Sequence, residues 1–147
     1  MSLSYKSHVT FPVIGTKTAA GVRTSVTLTA AYDVANKTKA FETAGFSKLN
    51  LDVLYTMGAG ETSNSIELRV TASADGVNYY RIPNESVTAG TSTLSAREFL
   101  FVGADAVAAT ISIGIDIFYK YIKVSAKETG VVTNFGTVFI DATLSGR

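Results

Sequence analysis

A chain of 147 residues is long enough to bury a sizeable core within one domain. It has no Cys and a single His, His8, which excludes a disulfide framework, a thiolate nucleophile and a cysteine-based metal centre; a metal would need carboxylates and carbonyls, and so would be calcium or magnesium. Its 13 basic and 12 acidic residues are spread without runs, which is not the footprint of a nucleic-acid binder, and no apolar run reaches the length that spans a bilayer.

The opening MSLSYKSHVT lacks the continuous apolar stretch of a secretory signal, so use without signal-peptide export is expected. Residues 1 to 23 hold an isolated apolar patch, Val9, Phe11, Val13 and Ile14, among Ser, Thr and Gly. Too short and interrupted to make a core alone, the patch reads as an extended N-terminal arm that lies along a neighbouring subunit and adds a strand to its edge. These four residues are the arm's candidate partner-binding positions. TSVTLTAAY, 24 to 32, places Val26, Leu28, Ala30 and Tyr32 on one face and predicts a strand. Asp33 to Gly45 reads either as a short helix capped by Asp33 or as an irregular crossing with one short strand.

FSKLNLDVLYTM, 46 to 57, puts Leu49, Leu51, Val53, Tyr55 and Met57 on one face and Lys48, Asn50, Asp52 and Thr56 on the other, a half-buried antiparallel strand. GAGETSN is a loop, and SIELRVTAS, 65 to 73, is a second alternating strand. SADGVNYYRI, 73 to 82, predicts a hairpin, because Asp75 and Gly76 accept the left-handed backbone of a tight turn. Within it, one of Tyr79 and Tyr80 must point inward; Tyr80 is the candidate contact for a partner or ligand. Pro83 marks that strand's end or an edge.

NESVTAGTSTLSA, 84 to 96, reads as a polar crossing between sheets, EFLFV as a short buried strand, and Gly103 to Ala109 as a turn of small residues. Ile111, Ile113, Ile115 and Ile117 then alternate, but Phe118, Ile122, Val124 and Ala126 fall on the other parity; a bulge or strand junction near Ile117 and Phe118 explains the slip. Tyr119 and Tyr121 share a face with Lys123, for packing or for partner contact, and GTVFIDATL is a final strand. These segments predict an all-β chain: an arm over 1–23 and, over 24–147, one antiparallel β-sandwich of jelly-roll type.

No constellation reads as a catalytic, cofactor or metal site. Asp52, Glu67, Asp116 and Asp141 each alternate with apolar residues, the signature of a solvated strand face rather than an acid–base pair, and His8 has no orienting carboxylate in predictable reach. A non-enzymatic protein is expected.

SADGVNYY followed by FYKYIKVSAKETG resembles the galactose-binding-like jelly roll of discoidin-type and many carbohydrate-binding domains, with Tyr79 or Tyr80 where a Trp usually stands and Tyr121, Ile122, Lys123 and Val124 in the late strand. That likeness implies a fold and makes a glycan the alternative ligand. The stretch from Thr38 through the hairpin, with "LDVLYT", the Gly-rich loop and "SADGVNYY", is similar to small virion-associated proteins of tailed bacteriophages, and KVSAKETGVVTNFGTVFIDATLSG fits the same group. The resemblance implies a virion structural protein assembled in the host cytoplasm, a decoration or cement protein of the capsid or a neck or tail component. Its partners would be the major capsid protein or other virion proteins and further copies of itself, with no cofactor, nucleic acid or membrane.

Overall fold

The computed structural model describes residues 8–88, 90–96, 98–102, 108–131 and 133–146, with side chains described outside 83–88, 91–102 and 108–109. The strands follow in chain order as β1 (His8–Ile14), β2 (Thr16–Lys17), β3 (Arg23–Thr24), β4 (Val26–Thr27), β5 (Thr38–Glu42), β6 (Lys48–Thr56) and β7 (Ser65–Ser73). After them come β8 (Tyr80–Arg81), β9 (Pro83–Thr88), β10 (Thr91–Ala96), β11 (Glu98–Val102), β12 (Ala108–Asp116), β13 (Tyr121–Thr129) and β14 (Thr137–Ser145). The described residues contain no helix.

Two antiparallel sheets enclose the core. The first runs β1-β14-β6-β12, with β4 beside β14, and the second runs β11-β7-β13-β5, with β8 beside β7. Alternation decides which side chains go inside. Leu49, Leu51, Val53 and Tyr55 of β6 face Ile66, Leu68 and Val70 of β7 and Ile122, Val124 and Ala126 of β13 in one continuous cluster, each at most 2% exposed. The phase slip after Ile117 is a strand junction: β12 ends in the first sheet, residues 117–120 cross, and β13 begins in the second.

Three expectations take a different form. Residues 8–14 are not a free arm but β1, paired with β14 from His8 opposite Ser145 to Ile14 opposite Ile140. Val13 and Ile14 are core residues, 5% and 1% exposed, and the Phe11 ring meets Phe41 of β5 edge to face at 5.1 Å, closing one side of the sandwich. Residues 1–7 of the expected arm lie outside the described residues. The stretch 24–32 is strand only at β3 and β4; Leu28 enters the core, whereas Tyr32 turns onto the outer face of the second sheet between Arg69 and Lys127, 4.0 and 4.6 Å from its ring. Asp33 and Asn36, both at positive φ, break the extended run there. The polar stretch 84–96 is the hairpin β9–β10 rather than a crossing, and most of the expected turn over 103–109 lies outside the described residues.

The end of the sandwich where β6 passes into β7 is tied by one carboxylate. Glu128 stands at the next inward position of β13 after Ala126 and is fully buried. It accepts hydrogen bonds from the Tyr55 hydroxyl at 2.5 Å, Asn64 Nδ2 at 3.1 Å and the Gly136 amide at 2.6 Å, joining β13, β6, the 58–64 loop and the entry to β14. Gly136 has to be glycine: a Cβ there would fall onto the Thr56 carbonyl oxygen. Nearby, Glu61 accepts from the Thr133 and Asn134 amides at 2.6 and 2.8 Å. Burial, then the hydrogen bond and charge of Glu128, then the charge of Glu61 hold the Tyr55 hydroxyl well above the usual tyrosine range, so it remains a donor.

Glu128→Ala strands three donors in the interior and is expected to cost about 3 kcal/mol or more, with Glu128→Gln intermediate because one carbonyl oxygen remains. Urea unfolding of both variants measures this; a loss under about 0.5 kcal/mol for the alanine variant would show that the hub is dispensable. Because folding raises the Tyr55 pKa, its contribution is full below the ordinary tyrosine value of about 10 and is lost as pH rises past it. Tyr55→Phe therefore flattens the alkaline limb of the stability profile.

Candidate interaction surfaces

The hairpin β7–β8 sits at the opposite end, and its turn is built around Asp75. One carboxylate oxygen accepts from the amides of Val77 and Asn78, both at 2.8 Å, and from the Ser73 hydroxyl at 2.8 Å, while the other takes Asn78 Nδ2 at 2.8 Å. These donors, the Asn78 amide first, hold the Asp75 carboxyl well below the usual carboxylate range. Gly76, at φ 76°, keeps the turn against the Tyr121 ring. Plain turn chemistry thus accounts for the Asp-Gly pair, and among the described residues no group of three His, Asp or Glu is placed to hold a metal.

The same end carries apolar side chains that the core does not use. Tyr79 is half-buried on the outer face of the second sheet, with the Lys123 ammonium 5.0 Å from its ring centre, while Tyr80, in register with Ala72, is 72% exposed; neither tyrosine enters the core, contrary to the expectation that one of them points inward. Val77, in the turn, is 78% exposed, and Phe118, in the crossing from β12 to β13, is 86% exposed. Tyr121, three residues beyond Phe118, pairs with Ser73 at the foot of the hairpin, which places all three at one end of the fold. Val9 of β1 lies towards that end as well, opposite Leu144, and is 48% exposed. Of the partner-binding positions expected from sequence, Val9 and Tyr80 therefore offer surface, Phe11 is half-buried, and Val13 and Ile14 are occupied by their own core. Tyr119 packs against the core, the packing role rather than the partner contact.

The outer face of the first sheet holds a second feature. Asp52 of β6 and Asp141 of β14 are direct cross-strand partners, two carboxylates of like charge side by side. They border an open groove of about 290 Å³ lined also by Arg23, Leu54, Thr110, Ser112 and Phe139. Asp52 accepts from Ser112 Oγ at 2.8 Å and Asn50 Nδ2 at 2.9 Å. Asp141 is 5% exposed, because the β2–β3 hairpin folds over it; Lys17 and Arg23 lie 3.3 and 3.9 Å from one of its oxygens. Its other oxygen is buried without a hydrogen-bond partner. The two cations offset the two carboxylates, so the arrangement fastens a hairpin to a sheet. Glu67 and Asp116, the other carboxylates singled out from sequence, pair with Lys127 at 3.0 Å and Lys48 at 3.5 Å.

Sequence reasoning missed Val77, Phe118 and the covering of Asp141. Val77 is a single apolar residue in a turn, where no periodicity marks it; Phe118 has the parity of Ile122, Val124 and Ala126 but lies in the crossing before β13 begins, so it is exposed rather than inward; the third depends on a hairpin from elsewhere in the chain.

No family model and no curated protein sequence gives a significant match to the chain. Among solved structures, it is similar in fold to the SPBc2 prophage-derived protein YomS, with a TM-score of 0.50 and 12% sequence identity over 99% of each chain.

Two outcomes follow from the charges. Folding lowers the Asp75 pKa, so its contribution is present above the unfolded value of about 3.9 and is lost as pH falls through the lower folded value. The carboxyl carbon of Asp75 followed by NMR should still be ionised at about pH 3, where an ordinary aspartate is mostly protonated, and a normal titration would contradict the turn geometry. Lys17→Met leaves Asp141 facing Asp52 with a weakened counter-charge and should cost about 1–3 kcal/mol, whereas the same change on an Asp52→Asn background should cost clearly less. Thermal melts of the four proteins measure the coupling, and equal losses on both backgrounds would show that the carboxylates do not interact.

Proposed function

We propose that this chain is a non-enzymatic structural protein of a tailed-bacteriophage particle, a decoration or cement protein that binds the major capsid protein or another virion subunit. The observation that carries the reading is the likeness of its sandwich to a prophage-derived protein along essentially the full length of both chains. The phage-like order of the strand, the Gly-rich loop and the "SADGVNYY" hairpin supports it.

Binding is assigned to the end that bears Val77, Tyr80 and Phe118, with Val9 at its margin. Large side chains left in water at one end of a small sandwich gain by burial against a partner, whereas at the opposite end Glu128 gathers three donors of its own chain. The N-terminal segment contributes through Val9 rather than as a detached arm, since Val13 and Ile14 belong to the core. The sandwich is read as a jelly roll, and the exposed Tyr80 keeps a glycan as the alternative ligand.

Protein analysis of purified parent particles is expected to find this chain at a copy number set by particle symmetry. A Val77→Asp/Phe118→Asp variant should fold with an unchanged melting transition and be depleted from the particles at least about tenfold. Particles that lack the wild-type chain would overturn the virion role, and a variant incorporated normally would overturn the assignment of the binding end.

A further inference from the structure

The strand edges of the sandwich are not equally protected. On the described residues, β1 carries Pro12 and a shift of register between Pro12 and Ile14, and β5 carries Lys39 and Glu42, features that discourage another strand from pairing there. β12 has neither. It is a nine-residue strand paired along one side with β6 from Ala108 to Asp116, with no described strand on its other side. Between Thr110 and Ile115 it has no charge, no proline and no break in register.

The residues of β12 are complementary to themselves. Thr110, Ser112 and Gly114 face outward, and Ile111, Ile113 and Ile115 face the core. Ile111 is only half-buried and Ile113 is 7% exposed, while their neighbour Leu51 on β6 is fully buried, so the core is thinnest at this edge. We infer that β12 pairs antiparallel with β12 of a second copy about a two-fold axis at Ser112, joining the two first sheets into one continuous sheet.

Antiparallel pairing centred on Ser112 sets Thr110 opposite the second copy's Gly114 and Ile111 opposite its Ile113. Outer residues then meet outer residues and core residues meet core residues, as the two-residue period requires. Asp116, the strand's one charge, falls opposite Ala108, so no like charges meet. A Cβ added at Gly114 would touch nothing within 4 Å in the single chain, which leaves room on this face for the facing Thr110. An isologous contact of this kind closes on itself and gives a dimer rather than a filament. It rests on the strand edge alone and stands whether or not the protein belongs to a particle.

Sedimentation velocity of the wild-type chain over a concentration series tests it together with two variants. The wild type should dimerise. Thr110→Lys/Gly114→Lys puts lysines opposite lysines at both ends of the pairing and should weaken the dimer roughly tenfold. Thr110→Lys/Gly114→Glu, which puts opposite charges at the same positions, should restore it. Both substituted positions are exposed, so thermal melts should show that each variant keeps the fold of the single chain. A wild-type protein that stays monomeric, or a lysine pair and a lysine–glutamate pair that behave alike, would overturn the inference.

Discussion

A carboxylate sealed from water must take its hydrogen bonds from the protein, and Glu128 takes them from three separate parts of the chain. Tyr55 ends the inward run of β6, Asn64 leads into β7, and Gly136 leads into β14. These elements belong to both sheets, so satisfying one acceptor fixes how the sheets meet at that end. The neighbouring backbone follows: Leu28 donates to the Gly136 carbonyl at 2.9 Å and Glu128 donates to that of Thr29 at 2.9 Å, so the chain leaving β4 is stitched over the same point. An apolar residue at 128 would have filled the space without dictating which loops converge on it.

The two ends of the sandwich differ in how their side chains are used. At the Glu128 end, the buried carboxylate takes its hydrogen bonds from Tyr55, Asn64 and Gly136 of the same chain. At the other, the turn around Asp75 holds its own backbone in shape while Val77, Tyr80 and Phe118 stand in solvent. A rigid turn presenting apolar side chains loses little entropy when a partner covers it, which supports the binding end proposed above. The Lys17–Asp141 contact serves the same rigidity on the outer face, pinning the β2–β3 hairpin over β14 so that this central strand is covered on both sides.

Much of the fold was legible because alternation is a local signal. The inward faces of β6 and β7, the hairpin at Asp75 and the junction after Ile117 all follow from residues within a few positions of one another. What was not legible depends on distant parts of the chain. In the patch from Val9 to Ile14 the alternation of Val9, Phe11 and Val13 is interrupted by Pro12 and breaks at Ile14, where the register shifts, and so short a run resembled an arm rather than the strand β1. The β9–β10 hairpin is built from Ser and Thr with hardly an apolar phase to read. Asp141 has the parity of a solvated residue and is buried only because a hairpin from residues 16–24 lies on it. Glu128 did leave a trace: it continues the inward parity of Val124 and Ala126, and a carboxylate in that phase announces a buried acceptor.

The central claim is that the Glu128 hub is part of the cooperative core and not a local clasp. Native-state hydrogen exchange followed by NMR tests it most directly through the Gly136 amide, whose proton goes to the carboxylate. This proton should exchange only through global unfolding, with the same denaturant dependence as the amides of β6 and β13. If the Gly136 amide instead exchanges through a local opening that is insensitive to denaturant while those strands remain protected, the hub does not hold the sheets together.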